Sequence, residues 1–159
     1  MELERNLENI AQMAKVKEKE NSSFQSYLKN QDTDKIDAIA HRLNDEITAL
    51  IDCTECGNCC QNLRPIATNE ELRVFVEPQN IEKFKYLEGF QCKNLKDKKC
   101  TIYTTRPEVC RLYPFLDRDK FITRTYGVLQ NYEHCPIVFN VFELLKIELG
   151  WCVENTSVK

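Results

Sequence analysis

The feature that most limits what this chain can fold into is an octet, Cys53-Thr-Glu-Cys56-Gly-Asn-Cys59-Cys60, which packs four thiols into eight residues. A C-x-x-C turn aims two sulfurs at one point. Gly57 and Asn58 tolerate the positive φ that so tight a backbone requires. Amides in such a loop also point at the sulfurs and offset thiolate charge. Neighbouring side chains in extended backbone face opposite sides. Cys59 and Cys60 are therefore expected to serve two sites, or two edges of one cluster, rather than a single ion.

Four more cysteines follow at wider spacing: Cys92, Cys100, Cys110 and Cys135. Zinc, or the irons of a cluster, takes four thiolates. Eight cysteines thus fill two four-ligand sites, or one site with the rest in support. Cys135 precedes Pro136 at the expected N-cap of the last helix, where the helix dipole lowers a thiol pKa. Arg106 and Arg111 flank Cys110 and are expected to donate hydrogen bonds to sulfur. Cys152 lies outside any spacing pattern and reads as a small buried core residue. His134 reads as solvated or hydrogen-bonded, and His41, off the apolar stripe of its helix, as exposed. For Arg64, Arg106, Tyr103 and Tyr113, structural hydrogen bonding is favoured over a pocket. The carboxylates are dispersed, and four glycines make no phosphate loop. No catalytic residue emerges, and the chain reads as a binding protein rather than an enzyme.

All nine cysteines fall between Cys53 and Cys152, and the first fifty residues have none. Residues 1–50 read as a helical segment packed on a cysteine-rich domain over 51–152, with 153–159 a frayed tail. Leu3, Leu7, Ile10 and Ala14 recur at helical spacing. Asn21, Ser22 and Ser23 interrupt that pattern, Phe24, Tyr27 and Leu28 resume it, and residues 30–34 form a second break. Ile36, Ile39, Ala40, Leu43, Ile47 and Leu50 make a stronger stripe. Thr68 and Glu71 fit a capping box, and Pro78 closes the short helix it opens. Ile81, Phe84, Tyr86 and Leu87 suggest another. Residues 90–103 read as a hairpin with Asp97, Lys98 and Lys99 at its tip, and Arg106-Pro107-Glu108 as a turn. Pro136 suits the first position of a last helix whose cap is Gly150. The fold class is α+β, mostly α: an irregular cysteine-rich core with a short hairpin, packed against N-terminal helices and a C-terminal helix.

The composition, 42% hydrophobic and 30% charged, is that of an ordinary globular chain. A net charge of −3 argues against a nucleic-acid partner, which needs a cationic face. The opening MELERNLENI offers no export signal. No run approaches the ~18 apolar residues of a membrane span. The expectation is a cytoplasmic chain without membrane contact, in a compartment where clustered cysteines bind metal rather than form disulfides.

The octet resembles the signature of the CxxCxxCC cysteine-cluster family, YkgJ-like proteins described as zinc- or iron-chelating. The resemblance extends to Cys100-Thr-Ile-Tyr-Thr-Thr-Arg-Pro-Glu-Val-Cys110-Arg-Leu-Tyr-Pro-Phe, to Cys92 before it and to the closing Cys135-Pro136. It implies metal chelation, with Cys53, Cys56, Cys59, Cys60, Cys92, Cys100, Cys110 and Cys135 as ligands. It supplies no reaction. A similar domain occurs in flagellin lysine methylases, which are longer chains, and no S-adenosylmethionine pocket is legible here. The sequence thus leads to a zinc- or iron-chelating module without catalysis of its own. The alternative is an iron–sulfur protein acting in electron transfer or as part of a redox or modifying enzyme. A protein partner docking on the N-terminal helices is a further reading, less favoured than helices that cover the metal core.

Overall fold

Caps and turn residues fix most of the element boundaries. The computed structural model describes residues 2–62, 68–84 and 91–152. Helix α1 (Leu7–Val16) starts at Asn6, whose side chain accepts the amides of Glu8 and Asn9. Helix α2 (Glu18–Leu28) follows after Lys17 alone, and α3 (Thr33–Thr48) starts at Asp32, which accepts the Lys35 amide. Two single turns, α4 (Cys53–Cys56) and α5 (Asn58–Gln61), contain the octet. Helix α6 (Asn69–Phe75) has the full capping box: Thr68 N donates to Glu71 at 2.8 Å, and Glu71 N to the Thr68 hydroxyl at 3.3 Å. Pro78 opens a 3-10 turn before α7 (Ile81–Phe84). Strands β1 (Leu95–Lys96) and β2 (Lys99–Cys100) form an antiparallel hairpin. Three helices complete the chain: α8 (Glu108–Leu112), α9 (Phe121–Leu129) and α10 (Pro136–Glu148). Among the described residues helix dominates and the sheet is that one hairpin, so the class is α+β, mostly α. None of these helices is long and apolar enough to cross a membrane.

The chain divides into two units, Met1–Ile51 with Pro114–Lys159, and Asp52–Tyr113. In the first unit α3 packs on α10 and α9, α2 on α9, and α1 on α10 and α2. Helix α10 is buried along most of its length, as a helix apolar nearly all round must be. The Phe142 ring meets Phe24, Tyr132 and Phe121 at centroid distances of 6.4, 6.0 and 5.6 Å. The end of α10 is a paired cap: Gly150, at φ +61°, donates to the Ile147 carbonyl, and Trp151 to that of Lys146.

Three sequence expectations differ from this fold. Helix α2 runs through Asn21, Ser22 and Ser23, and the break falls at Lys17. Tertiary bonding overrides local propensity there. Asn21 is buried and accepts Nζ of buried Lys146 at 2.6 Å. The other two donors of Lys146 go to Glu20 at 2.8 Å and Glu143 at 2.6 Å, and the Phe24, Tyr132 and Trp151 rings lie 5.8, 5.8 and 5.9 Å from Nζ. Helix α9 has no counterpart in the sequence reading. Its capping carboxylate is distant in the chain: Asp37 accepts the amides of Lys120 and Phe121 at 2.6 and 2.8 Å. Cys152 is exposed rather than buried, because the cap at Gly150 turns the chain out of the core while the Trp151 ring packs on Phe24 at 5.1 Å. The expectations for Arg64, Tyr86, Leu87, Phe90 and residues 153–159 fall outside the described residues.

Candidate metal centre

Seven of the eight candidate cysteines belong to the second unit, and Cys135 to the first. The octet is built as two helical turns in series. Asp52 caps the first by accepting the Thr54 amide at 2.7 Å and hydroxyl at 2.6 Å. Gly57 ends it in the left-handed region (φ +57°), and its amide donates to the Cys53 carbonyl. The second turn starts at Asn58 and ends at Asn62, whose side chain donates back to the Asn58 carbonyl. Helical rather than extended backbone changes the reading of the adjacent pair. The two cysteines follow one another in a helical turn, and a hydrogen bond from Cys59 lowers the Cys60 thiol.

The hairpin seats on this octet. Asp97 and Lys98 are both left-handed (φ 49° and 64°), as a two-residue turn of type I′ requires. A Cβ on Gly57 would lie 2.5 Å from the Lys98 carbonyl oxygen, so only glycine permits this approach. The seated hairpin carries Cys100, whose register partner is Leu95.

Cys92 and Cys110 are placed by packing. The Cys92 amide donates to the Cys60 carbonyl at 2.8 Å, and the next amide, of Lys93, to Phe75 at 2.8 Å. Asn94 braces the segment: its Nδ2 donates to the Val74 carbonyl at 2.6 Å and reaches the Cys92 sulfur at 3.8 Å. Nothing in the sequence pattern marked Asn94. Cys92 belongs to a buried cluster with Leu72, Phe75, Val76, Ile81 and Leu95, against which Cys60, Val109 and Cys110 pack.

The electrostatics follow from this crowding. Burial pushes the Cys110 thiol up to about 11, and Cys60, Cys92 and Cys100 add to it. Burial also raises Cys92, helped by Cys60 and Cys100 and opposed by hydrogen bonds from Asn94. Cys53 is exposed as a residue, yet the protein mass around its sulfur, and then Cys56, push its thiol up. Cys60 is the exception, lowered to about 7 by the hydrogen bond from Cys59 against the effect of burial, with help from the Arg106 charge. The Arg106 guanidinium stacks 3.8 Å over the Tyr103 ring. It acts on the thiols by charge, lowering Cys53, Cys60 and Cys110. Arg111 differs from expectation, because its Nη1 donates to the Arg106 carbonyl and not to sulfur.

Cys135 is buried at the N-cap of α10. His134 pairs with Glu133 at 3.0 Å. His41 is half-buried rather than exposed, and its Nε2 is buried without a hydrogen bond among the described residues. Among those residues no three His, Cys, Asp or Glu side chains stand close enough together to hold a metal ion. The donor chemistry nevertheless fits a thiophilic cation. Free thiols that raise one another's pKa lose that mutual repulsion once a cation lies between them.

No curated protein and no solved structure matches the chain. A family model does, over residues 52–136, and its description is "Putative zinc- or iron-chelating domain". That span is just over half of the chain, and it begins at the Asp52 cap and closes on the Cys135-Pro136 pair. The chain belongs to the CxxCxxCC family.

Proposed function

We propose that this protein binds zinc or iron through cysteine thiolates of residues 52–113, and that the metal organises that unit. The observation that carries the reading is the match of residues 52–136 to a zinc- or iron-chelating domain, beside the packing of Cys60 and Cys110 against the buried cluster that contains Cys92. Such a set is costly to ionise alone and is stabilised by a bound cation. The unit is otherwise made of helices of one or two turns and a four-residue hairpin ladder, elements too short to be stable by themselves. Structural zinc in small domains supplies roughly 10 kcal/mol or more of folding free energy. Cys53, Cys56, Cys59, Cys60, Cys92, Cys100, Cys110 and Cys135 are the ligand candidates, on the family's sequence pattern. When bound, the metal supplies cross-linking of the segments that carry its ligands. The chain's own part is to carry the thiols on neighbouring short elements, to offset their charge with Arg106, and to pack apolar residues against Cys60, Cys92 and Cys110.

The test is removal of metal by a chelator, followed by limited proteolysis read by mass spectrometry. The expected result is rapid cleavage within residues 52–113 and recovery of resistance when zinc or iron(II) is restored. Identical cleavage maps with and without metal would overturn the proposal. The absorption spectrum of the anaerobic protein reads which metal is present, since thiolate-bound iron and its clusters are coloured and zinc is not.

A further inference from the structure

We infer that residues 2–6, the segment before α1, form a releasable strap on the first turn of α10, and that its release opens the Cys135 thiol to reagents from solution. The inference concerns access to a thiol and does not depend on the metal-binding reading above. Cys135 caps α10 and is only 6% exposed. A thiol so placed meets a soft cation or an electrophile only when something beside its turn moves. Helices α3 and α1 pack on α10. Moving α3 would uncover Ile36, Ala40 and Ile47, which have no exposure, and moving α1 would uncover Ile10, which has none either. The segment before α1 is different. It belongs to no helix or strand, and none of residues 2–6 is buried.

One buried side chain ties this segment down. Asn140, on α10 and 5% exposed, pairs with the backbone of Glu4 on both sides. The Glu4 amide donates to Oδ1 at 3.0 Å, and Nδ2 donates to the Glu4 carbonyl at 2.7 Å. The same Nδ2 donates to the Pro136 carbonyl, also at 2.7 Å. The Glu4 backbone therefore lies on the turn that begins at Pro136, the residue next to Cys135. The Glu4 carboxylate is engaged elsewhere: it accepts the Asn6 amide at 2.8 Å and Nδ2 of Asn9 at 3.2 Å, at the start of α1. Letting go of α10 thus requires the loss of the two Asn140 bonds and leaves the other contacts of Glu4 intact. Asn140 is not stranded by it, because Nδ2 keeps the Pro136 carbonyl and water reaches Oδ1. Helix α1 stays docked, since Ile10 remains in the core and Lys17, just beyond its end, holds Glu143 at 2.7 Å. An opening that breaks so few contacts belongs to the low-stability end of local unfolding.

Iodoacetamide is the probe, used on the full chain, with labelling of Cys135 followed by mass spectrometry and exposed Cys152 as the internal reference. The first measurement uses the native sequence in urea below the unfolding transition. The rate at Cys135 is expected to be nearly independent of urea, because a local opening exposes little surface. A rate that climbs with urea as steeply as global unfolding would mean that Cys135 is reached only when the whole unit comes apart, and would overturn the inference. The second measurement compares two variants. Glu4→Pro removes the amide that Asn140 accepts, whereas Glu4→Ala keeps it and loses only the carboxylate. Labelling of Cys135 is expected to be about five-fold faster in Glu4→Pro than in Glu4→Ala, the factor that one net hydrogen bond is worth, with equal melting temperatures and equal rates at Cys152. Equal rates at Cys135 in the two variants, or a faster rate that comes with a matching loss of melting temperature, would also overturn it.

Discussion

Replacing Gly57 by alanine tests whether the hairpin and the octet form one metal-binding surface. Two costs add. Gly57 lies in the left-handed region (φ +57°), where an L-residue loses about 1–2 kcal/mol. Its new Cβ would also lie 2.5 Å from the Lys98 carbonyl oxygen, a backbone atom that cannot rotate away. Relieving that overlap requires the hairpin to lift, at about 1–3 kcal/mol by analogy with overpacked cores. The sum is about 2–5 kcal/mol, borne by the state in which Cys100 is held against the octet. Since about 1.4 kcal/mol is a factor of ten, metal affinity should fall by at least about 30-fold in chelator competition. Two controls separate the costs. Gly150 has φ +61° but nothing within 4 Å of a new Cβ. Gly150→Ala should therefore destabilise the first unit by about 1–2 kcal/mol and leave metal affinity unchanged. Gly127 lies within α9 with open space around it, so Gly127→Ala should stabilise by about 0.5–1 kcal/mol. A Gly57→Ala protein that binds metal as tightly as the native chain would refute the reasoning.

Cys60 in the metal-free protein should react with alkylating reagents with a midpoint near its lowered pKa of about 7. Cys59→Ala should move that midpoint upward, and an unchanged profile would remove the Cys59 hydrogen bond as the cause. Burial would raise the Glu143 carboxyl, but hydrogen bonds from Lys146, Lys17 and Tyr132 outweigh it and hold it below its ordinary value. A depressed carboxyl stabilises the fold above its unfolded pKa, and that contribution is lost as pH falls through the folded value. Glu143→Gln should thus cost about 2 kcal/mol at neutral pH and flatten the acid limb of a stability–pH curve followed by circular dichroism. Cys152→Ser should leave metal content unchanged and shift stability by less than about 0.5 kcal/mol in a thermal melt, as exposed sites do.

What the sequence made legible depends on how local the cause is. The Thr68–Glu71 box, Pro136 at the start of α10 and Gly150 after its end each act over a few residues, and each stands as the residues imply, whereas the hairpin tip is Asp97 and Lys98 alone, with Lys99 already in β2. Helix α9 was hidden because its cap, Asp37, comes from α3. The continuity of α2 through Asn21 was hidden because its support is Lys146, on the last helix. In the site, the cysteines were legible by type and spacing, but their neighbours were not. The expectation that Cys59 and Cys60 serve two sites or two edges of one cluster starts from extended backbone, and the backbone there is a helical turn that follows Gly57. Asn94 carried no motif at all, since its contacts to Val74 and Cys92 exist only once the cluster has packed.

The central claim, that thiolates of residues 52–113 hold zinc or iron, is tested most directly by elemental analysis of the full chain purified without oxygen. The account predicts zinc or iron in stoichiometric amount, retained through gel filtration and released when the thiols are alkylated under denaturing conditions. A folded protein that carries neither metal, and takes up neither when supplied under reducing conditions, would contradict it.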